Sequence, residues 1–555
     1  MRCGFHSKPE KYTMKRLILI GIIILAVFFR FYALSRVPPA PSLDEVSIGY
    51  NAYSILQTGK DEYGTPYPML LRAYDDYRPA LYVYLTIPFV KIFGLTAVSV
   101  RLPSVLLSVL TVYLVYSIGR MIGKKYCSYA HLGDIAGVLL AISPWHIYIS
   151  RLGHEANLGL TLFVLGIYLF LQAVLLEKKS AWIWSAIVFA MSLHGYQSDK
   201  IISPLILISG VIAFHKEIWH ARRQVLAASA LGVLIALPAV LAAVSPEGLL
   251  RFRGTSAFSP DSPDMVAATK AYVSAREKGD TAGKLLYGKA GTYVRIFTKN
   301  YVSHFAPGWV FAGADREAHK VPGMGLLYLW EAPFLLLGLW ALIKSKLPAG
   351  LKWFVFSWIL ISPVPASVTT QSPHAMRAYA LVPAALLVEA LGFWWMIRRF
   401  SARQLQILAA VVGVIVAQGI TVFWRGYFVR FPAEQSDSFQ YALKSAVSYA
   451  GTQAGSYDAV QFSNQGSLYQ SYMFFLYYTK FNPADYQATG GTVSGGYEEA
   501  HLIGKYAFGI LPQKPAEFAP KTLYFYDAKH LPPGLRTLET FYTLDGNPAI
   551  FAATL

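Results

Sequence analysis

The chain has 555 residues, of which 55% are hydrophobic and 14% charged, and its net charge is +18. Soluble domains carry about 25% charged residues, so this composition, with a positive mean hydropathy, excludes a string of soluble domains. The basic excess is spread over short loops between apolar stretches rather than gathered in one patch, which excludes nucleic acid as the partner it serves.

Crossing roughly 30 Å of hydrocarbon takes about 20 apolar residues. In chain order such stretches fall at residues 17–34, 102–122, 135–149, 158–176, 181–193, 201–214, 225–244, 324–343, 353–368, 378–397 and 405–423. That predicts about eleven spans, with 135–149, 181–193, 201–214 and 353–368 short. The first is basic-flanked, contains Arg30 and lacks a small-residue cleavage site, so it reads as an uncleaved signal-anchor. Lys and Arg recur in alternate loops: Lys11, Lys15 and Arg16, then Lys124 and Lys125, Lys178 and Lys179, then Lys216, Arg222 and Arg223. The same side takes Lys344, Lys346 and Lys352, then Arg398, Arg399 and Arg403. The positive-inside tendency makes that side the cytoplasm. Cys3 and Cys127 fall there too, so no structural disulfide is expected.

The opposite side carries the long segments. Residues 35–101 hold Asp44-Glu45, Asp61-Glu62 and Asp75-Asp76, with Tyr-rich apolar stretches at 46–56 and 80–93 that read as short interfacial helices. Residues 245–323 carry Arg251, Arg253, Arg295, His304, Asp315, Arg316, His319 and Lys320. Shorter outer loops supply Arg151, His154 and Glu155, then His194 to Lys200, then His374 and Arg377. Glu331 and Glu389 fall inside predicted spans, where a carboxylate is costly and helix-packing hydrogen bonds are the default expectation. After residue 425 the membrane signal ends. Residues 427–555 mix helical stretches (438–449, 469–478) with strands (459–463, 522–526) and a terminal hairpin about Asp545-Gly546-Asn547-Pro548.

The predicted architecture is therefore mainly α. Residues 1–425 form a polytopic transmembrane helix bundle, and residues 426–555 a small α/β domain. The N-terminus is cytoplasmic, and an odd span count puts the C-terminal domain outside the cytoplasmic membrane.

No GxGxxG, Walker loop or HExxH helix occurs. Asp75 and Asp76 are adjacent rather than two apart as in a DxD motif, and no Cys/His cluster has zinc spacing. Ligand chemistry allows a divalent ion on Asp44, Glu155 and a phosphate, but no motif supports one, and neither metal nor other cofactor is predicted. What the outer loops offer is carboxylates to activate or orient hydroxyls, guanidinium groups for phosphate, and aromatic faces for sugars or isoprenoid chains.

Four features in order carry a family resemblance: Asp44-Glu45 after the first span; Asp75-Asp76-Tyr77-Arg78-Pro79-Ala80-Leu81-Tyr82; Phe93-Gly94; and Arg101-Leu102-Pro103-Ser104. This order resembles the first luminal loop of the protein O-mannosyltransferase and lipid A aminoarabinose transferase superfamily (glycosyltransferase family 39-like), over roughly residues 15–425. The resemblance implies the C-type glycosyltransferase fold and transfer of a sugar from a polyprenyl-phosphate donor to an acceptor hydroxyl on protein, lipid or glycan. It implies Asp44 as the catalytic carboxylate with Glu45 beside it. Arg78 matches a basic residue placed for the donor phosphate. Arg151 and Glu155 match a second-loop Arg followed by an acid, which implies Arg151 at the donor phosphate and Glu155 as a further catalytic carboxylate, although better-known members carry Asp where this chain has Glu155. His374 and Arg377 resemble a Pro-His-Ala-x-Arg stretch assigned to phosphate contact. The alternative class is a transporter or flippase for an anionic lipid, which would place its polar features near mid-membrane rather than in outer loops.

Overall fold

A computed structural model describes residues 9–74, 76–126, 129–313, 319–490 and 501–555. Cys3, Asp75, Cys127, Asp315 and Arg316 lie outside the described residues. The chain divides into two compact units. One comprises Met1–Phe31, Leu106–Ser150 and Glu155–Phe423, and the other Tyr32–Val105, Arg151–His154 and Trp424–Leu555.

The first unit is helical, and each predicted span meets a helix. By length and composition five helices suffice to cross a membrane: Ala97–Tyr126, Glu155–Leu176, Arg222–Val244, Ala349–Ser367 and Ala402–Glu434. The count reaches six if Leu132–Ile142 and Pro144–Ser150, bent by 57°, make one span. The protein is thus a multi-pass membrane protein, with fewer full-length spans among the described residues than the hydropathy pattern predicts. The bend has a local cause: Pro144 has no N–H to donate and cannot continue the preceding helix. The span predicted at 324–343 is helical only over Glu331–Lys344, because the residues ahead of it pair elsewhere: Met324 bridges to Ala312, and the Leu327 N–H donates to the Val310 carbonyl at 2.9 Å. Helices Glu331–Lys344 and Leu381–Ile397 meet backbone to backbone: a Cβ on Gly338 would lie 2.0 Å from the Val388 carbonyl oxygen. Small residues permit such an approach where lipid supplies no hydrophobic drive. Glu331 accepts the Tyr328 N–H at 2.8 Å. Glu389 departs from expectation, being fully buried with neither carboxylate oxygen hydrogen-bonded among the described residues.

The long segment after residue 244, for which the sequence predicts no elements, forms helices, including Pro246–Thr255, Pro263–Glu277, Thr281–Tyr287 and Lys289–Ser303. Ser245, Ser262 and Asp280 cap three of them by accepting from the backbone N–H of Gly248, Met265 and Gly283. Proline at the first helical position, where an N–H would go unused, reinforces two of these starts.

The second unit joins the first outer segment to the C-terminal domain. Leu70–Ala73 (β1) and Asp76–Pro79 (β2) form an antiparallel hairpin with Leu71 opposite Arg78. The C-terminal sheet comprises Ala459–Ser463 (β3), His501–Ile503 (β4), Tyr506–Gly509 (β5), Thr522–Asp527 (β6), Arg536–Tyr542 (β7) and Pro548–Thr554 (β8). Its order is β4-β5-β3-β6-β8-β7, with β3 parallel to both β5 and β6. Asp527, at the carboxyl end of β6, accepts from the backbone N–H of Ser467 at 2.8 Å and Lys529 at 3.0 Å and pairs with His530 Nδ1 at 2.9 Å. Burial pushes its carboxyl up, but these bonds together hold it below the usual carboxylate range. Gly466 supplies the turn with φ +56°; a Cβ there would sit 2.2 Å from Asp527 Oδ2.

The helix Leu43–Thr58, predicted as interfacial, is instead buried along most of its length. Tyr50 donates to the Phe481 carbonyl at 3.1 Å, and Gln487 Nε2 to the Asp61 carbonyl at 2.8 Å. A Cβ on Gly49 would lie 2.8 Å from both Tyr477 and Val100. Glycine is needed there for the helix to seat against the C-terminal domain.

Candidate active site

The site in the second unit begins with a helix start. Ser42 Oγ accepts the Glu45 N–H at 3.3 Å, and Glu45 Oε2 accepts the Ser42 N–H at 2.8 Å. This capping box satisfies two amide groups that the first turn leaves without partners. It fixes Asp44 and Glu45 in the first turn, where the helix dipole favours carboxylates.

The two acids then diverge. Glu45 is wholly buried. Arg101 grips it as a fork, Nε to Oε1 at 2.7 Å and Nη2 to Oε2 at 3.1 Å. Oε1 also accepts the Gly153 N–H at 2.9 Å, and a Cβ on Gly153 would meet Val100 at 2.7 Å. The remaining Arg101 donors reach the carbonyls of Leu34 at 2.9 Å, Pro38 at 3.1 Å and Ala40 at 2.7 Å. One guanidinium therefore ties the segment entering the site to the helix that carries it, a geometry only a planar five-donor group can satisfy. Glu45, expected beside the catalytic carboxylate, has no open oxygen face for a substrate: it is a clamp.

Asp44 lies on the open side, with its side chain 48% exposed. Arg78, from β2, places Nη2 3.0 Å from Asp44 Oδ1 while itself nearly buried, and His154 Nε2 stands 3.8 Å from Oδ2. A carboxylate held by a rigid cation on one side and exposed on the other can accept a proton from a hydroxyl presented to it.

Arg151, expected at the donor phosphate, is wholly buried. It donates to the Val37 carbonyl at 2.7 Å and lies over Phe428 at 5.0 Å and Tyr427 at 5.6 Å. Burial lowers its pKa from the usual arginine value. Its place is a positioning one, packing the second-loop turn against the entry segment.

Glu155, His374 and Arg377 belong to the first unit. Glu155 opens the helix Glu155–Leu176 and is buried. His374 sits in a histidine group that the sequence named without assigning. The Asn300 carbonyl lies 2.8 Å from His304 Nδ1, so that nitrogen carries the hydrogen and Nε2 is free to accept the His374 N–H at 3.2 Å. His374 Nδ1 in turn accepts the Arg377 N–H at 3.3 Å, and the His319 ring lies 5.4 Å away. Hydrogen bonding thus sets the tautomers of His304 and His374. Among the described residues no group of three His, Cys, Asp or Glu side chains has metal-holding geometry.

Residues 77–242 match the family described as dolichyl-phosphate-mannose-protein mannosyltransferase. The match includes Arg78, Arg101, Arg151 and Glu155 and begins after Asp44. The structure resembles ArnT from Cupriavidus metallidurans bound to undecaprenyl phosphate, with TM-score 0.57, 11% identity, and coverage of 97% of this chain and 98% of that one. It resembles the apo state of the same protein with TM-score 0.53, 12% identity and 98% coverage of both chains. The fold is that of the C-type membrane glycosyltransferases. A third C-type structure, the archaeal oligosaccharyltransferase AglB from Archaeoglobus fulgidus in complex with an inhibitory peptide and a dolichol-phosphate, gives TM-score 0.50 at 13% identity. It covers 85% of this chain, which spans 64% of the archaeal protein's length. No curated protein matches the sequence. Neither the family match nor the C-type fold supports the transporter alternative.

Proposed function

We propose that this C-type protein transfers a hexosyl or pentosyl group from a polyprenyl-phosphate donor to an acceptor hydroxyl on protein, lipid or glycan. The observation that carries the reading is the contrast within one acidic pair. Glu45 is locked in a buried fork, whereas Asp44 is open and held by Arg78 at 3.0 Å. Asp44 takes the proton as the acceptor oxygen forms a bond to the anomeric carbon. The bond from that carbon to the phosphate oxygen breaks, and polyprenyl phosphate leaves with the electron pair. Arg78 stands beside the base to stabilise that leaving charge. A single displacement inverts the anomeric configuration.

Purified protein incubated with a panel of radiolabelled polyprenyl-phosphate sugars is expected to release free polyprenyl phosphate with one member, and nothing from nucleotide sugars. Turnover of a nucleotide sugar alone would defeat the proposal.

The alternation of basic loops supports chemistry on the outer face of the cytoplasmic membrane. A C-terminal alkaline phosphatase fusion should be active and a C-terminal green fluorescent protein fusion dark. The opposite pair of results would reverse the orientation and put Asp44 on the cytoplasmic side.

A further inference from the structure

In the first unit a groove of about 340 Å³ runs between the helices Lys179–Gly195, Asp199–Ala213 and Arg222–Val244. That volume falls in the range of about 300–1,000 Å³ common for ligand sites. Its lining is apolar apart from three serines. Two of these are satisfied inside the protein, Ser185 by the Gly166 carbonyl at 3.0 Å and Ser203 by Ser192 at 2.8 Å. The groove opens sideways: Val211 and Val233 on its walls are 51% and 65% exposed, and the apolar window of Arg222–Val244 is only 11% buried. A helix so thinly packed leaves room for a hydrocarbon chain beside it.

The ends of the groove differ in charge. At one end Trp182, Ile218 and Val225 line it, and the exposed Lys178, Lys179, Lys216, Arg222 and Arg223 flank them in sequence, with only Glu177 and Glu217 opposing. Arg222 stacks over Trp219 at 5.3 Å, an aromatic of the kind that settles at headgroup depth. At the other end, by Leu193, Ser203 and Ala236, the titratable neighbours are His194, whose Nε2 is 2.9 Å from the Ile235 carbonyl, and the opposed pair of buried Asp199 and Lys200 that opens the helix Asp199–Ala213, so no net basic cluster forms there. We propose that the groove binds an anionic phospholipid, with its phosphate among Lys216, Arg222 and Arg223 and one acyl chain along the helices.

The charge pattern selects this occupant over the sugar donor. The basic end is the side that the positive-inside tendency makes cytoplasmic, the leaflet rich in anionic lipid, and basic pockets between helices there suit such headgroups. A donor serving chemistry on the outer face would carry its phosphate at the His194 end instead. The bound lipid completes the packing of Arg222–Val244.

The test is lipid binding to the full-length protein in detergent, counted by native mass spectrometry, with phosphatidylglycerol, phosphatidylcholine and undecaprenyl phosphate as probes. Phosphatidylglycerol is expected to bind at least about tenfold more tightly than phosphatidylcholine, weakening with salt. Lys216→Gln, Arg222→Gln and Arg223→Gln should each weaken it roughly fivefold. These change exposed side chains only, so folding is preserved and they carry the test even if a groove-filling variant unfolds. Ala236→Phe should weaken both phospholipids and keep the preference between them. Unchanged phosphatidylglycerol binding by a variant carrying Lys216→Gln, Arg222→Gln and Arg223→Gln together overturns the proposal. So does equal binding of phosphatidylcholine, or displacement of phosphatidylglycerol by an equal or lower concentration of undecaprenyl phosphate, which would make the groove a donor-chain site.

Discussion

Asp44→Asn is expected to insert and fold normally, to bind donor nearly as well as wild type, and to turn over at least about a hundredfold more slowly. The substitution keeps side-chain size and an oxygen that can still accept from Arg78, now 3.0 Å from Oδ1. It leaves the buried fork of Glu45 and Arg101 untouched. What it removes is the proton acceptor, and general-base contributions run at about 10²–10⁴-fold. Donor binding can be read separately: a ligand at about a hundred times its Kd adds roughly 2.7 kcal/mol of stability, so wild type and variant should show the same donor-induced rise in Tm. His154→Gln should cost much less, since His154 stands 3.8 Å from Asp44 and contributes orientation only. Turnover by Asp44→Asn within a few-fold of wild type, alongside a dead Glu155→Gln, would move the base to the second outer loop while leaving the glycosyltransferase reading in place.

The helical plan was legible because apolar run length is a strong signal, and the eleven predicted spans all fell on helices. What run length cannot show is continuity. Pro144 splits one span, and backbone pairing of Met324 and Leu327 with the segment about Val310 shortens another. The segment after residue 244 reads in sequence only as a long outer segment, with no elements assigned. Its helix starts were nonetheless written locally, as Ser245-Pro246-Glu247 and Ser262-Pro263-Asp264, which place a capping serine before proline and an acid. The acidic pair was legible as a pair but not as two roles. Motif order brings Asp44, Glu45 and Arg78 together without saying which carboxylate is covered. A signal was present in Ser42-x-x-Glu45: a Glu at the third helical position reaches back to the cap and turns away from the open side. Arg101 and Arg151 were harder, since an arginine at a helix end or in an outer loop reads as exposed. Only the fold brings the carbonyls of Leu34, Pro38 and Ala40 around one guanidinium and Val37 against the other.

Glu45→Gln is expected to fail in the opposite way from Asp44→Asn, losing stability rather than chemistry. Glutamine fits the same space and can still accept the Gly153 N–H, but it leaves the Arg101 guanidinium, fully buried, without its counter-charge. Removing one partner of a buried ion pair costs about 3–5 kcal/mol, because the survivor's desolvation is no longer offset. A large drop in Tm should follow, while activity per folded molecule falls far less than in Asp44→Asn. Arg101→Lys should cost a similar amount despite keeping the charge, since one ammonium cannot serve a bidentate carboxylate and three carbonyls at once. In a double-mutant cycle the two changes should be strongly non-additive, the pair together costing much less than the sum, because the second substitution removes a partner already lost. A Glu45→Gln protein that melts with wild type yet shows no turnover would make Glu45 the base and Asp44 its neighbour. Additive losses would mean that the fork binding Glu45 to Arg101 is not what holds the entry segment to the Leu43–Thr58 helix.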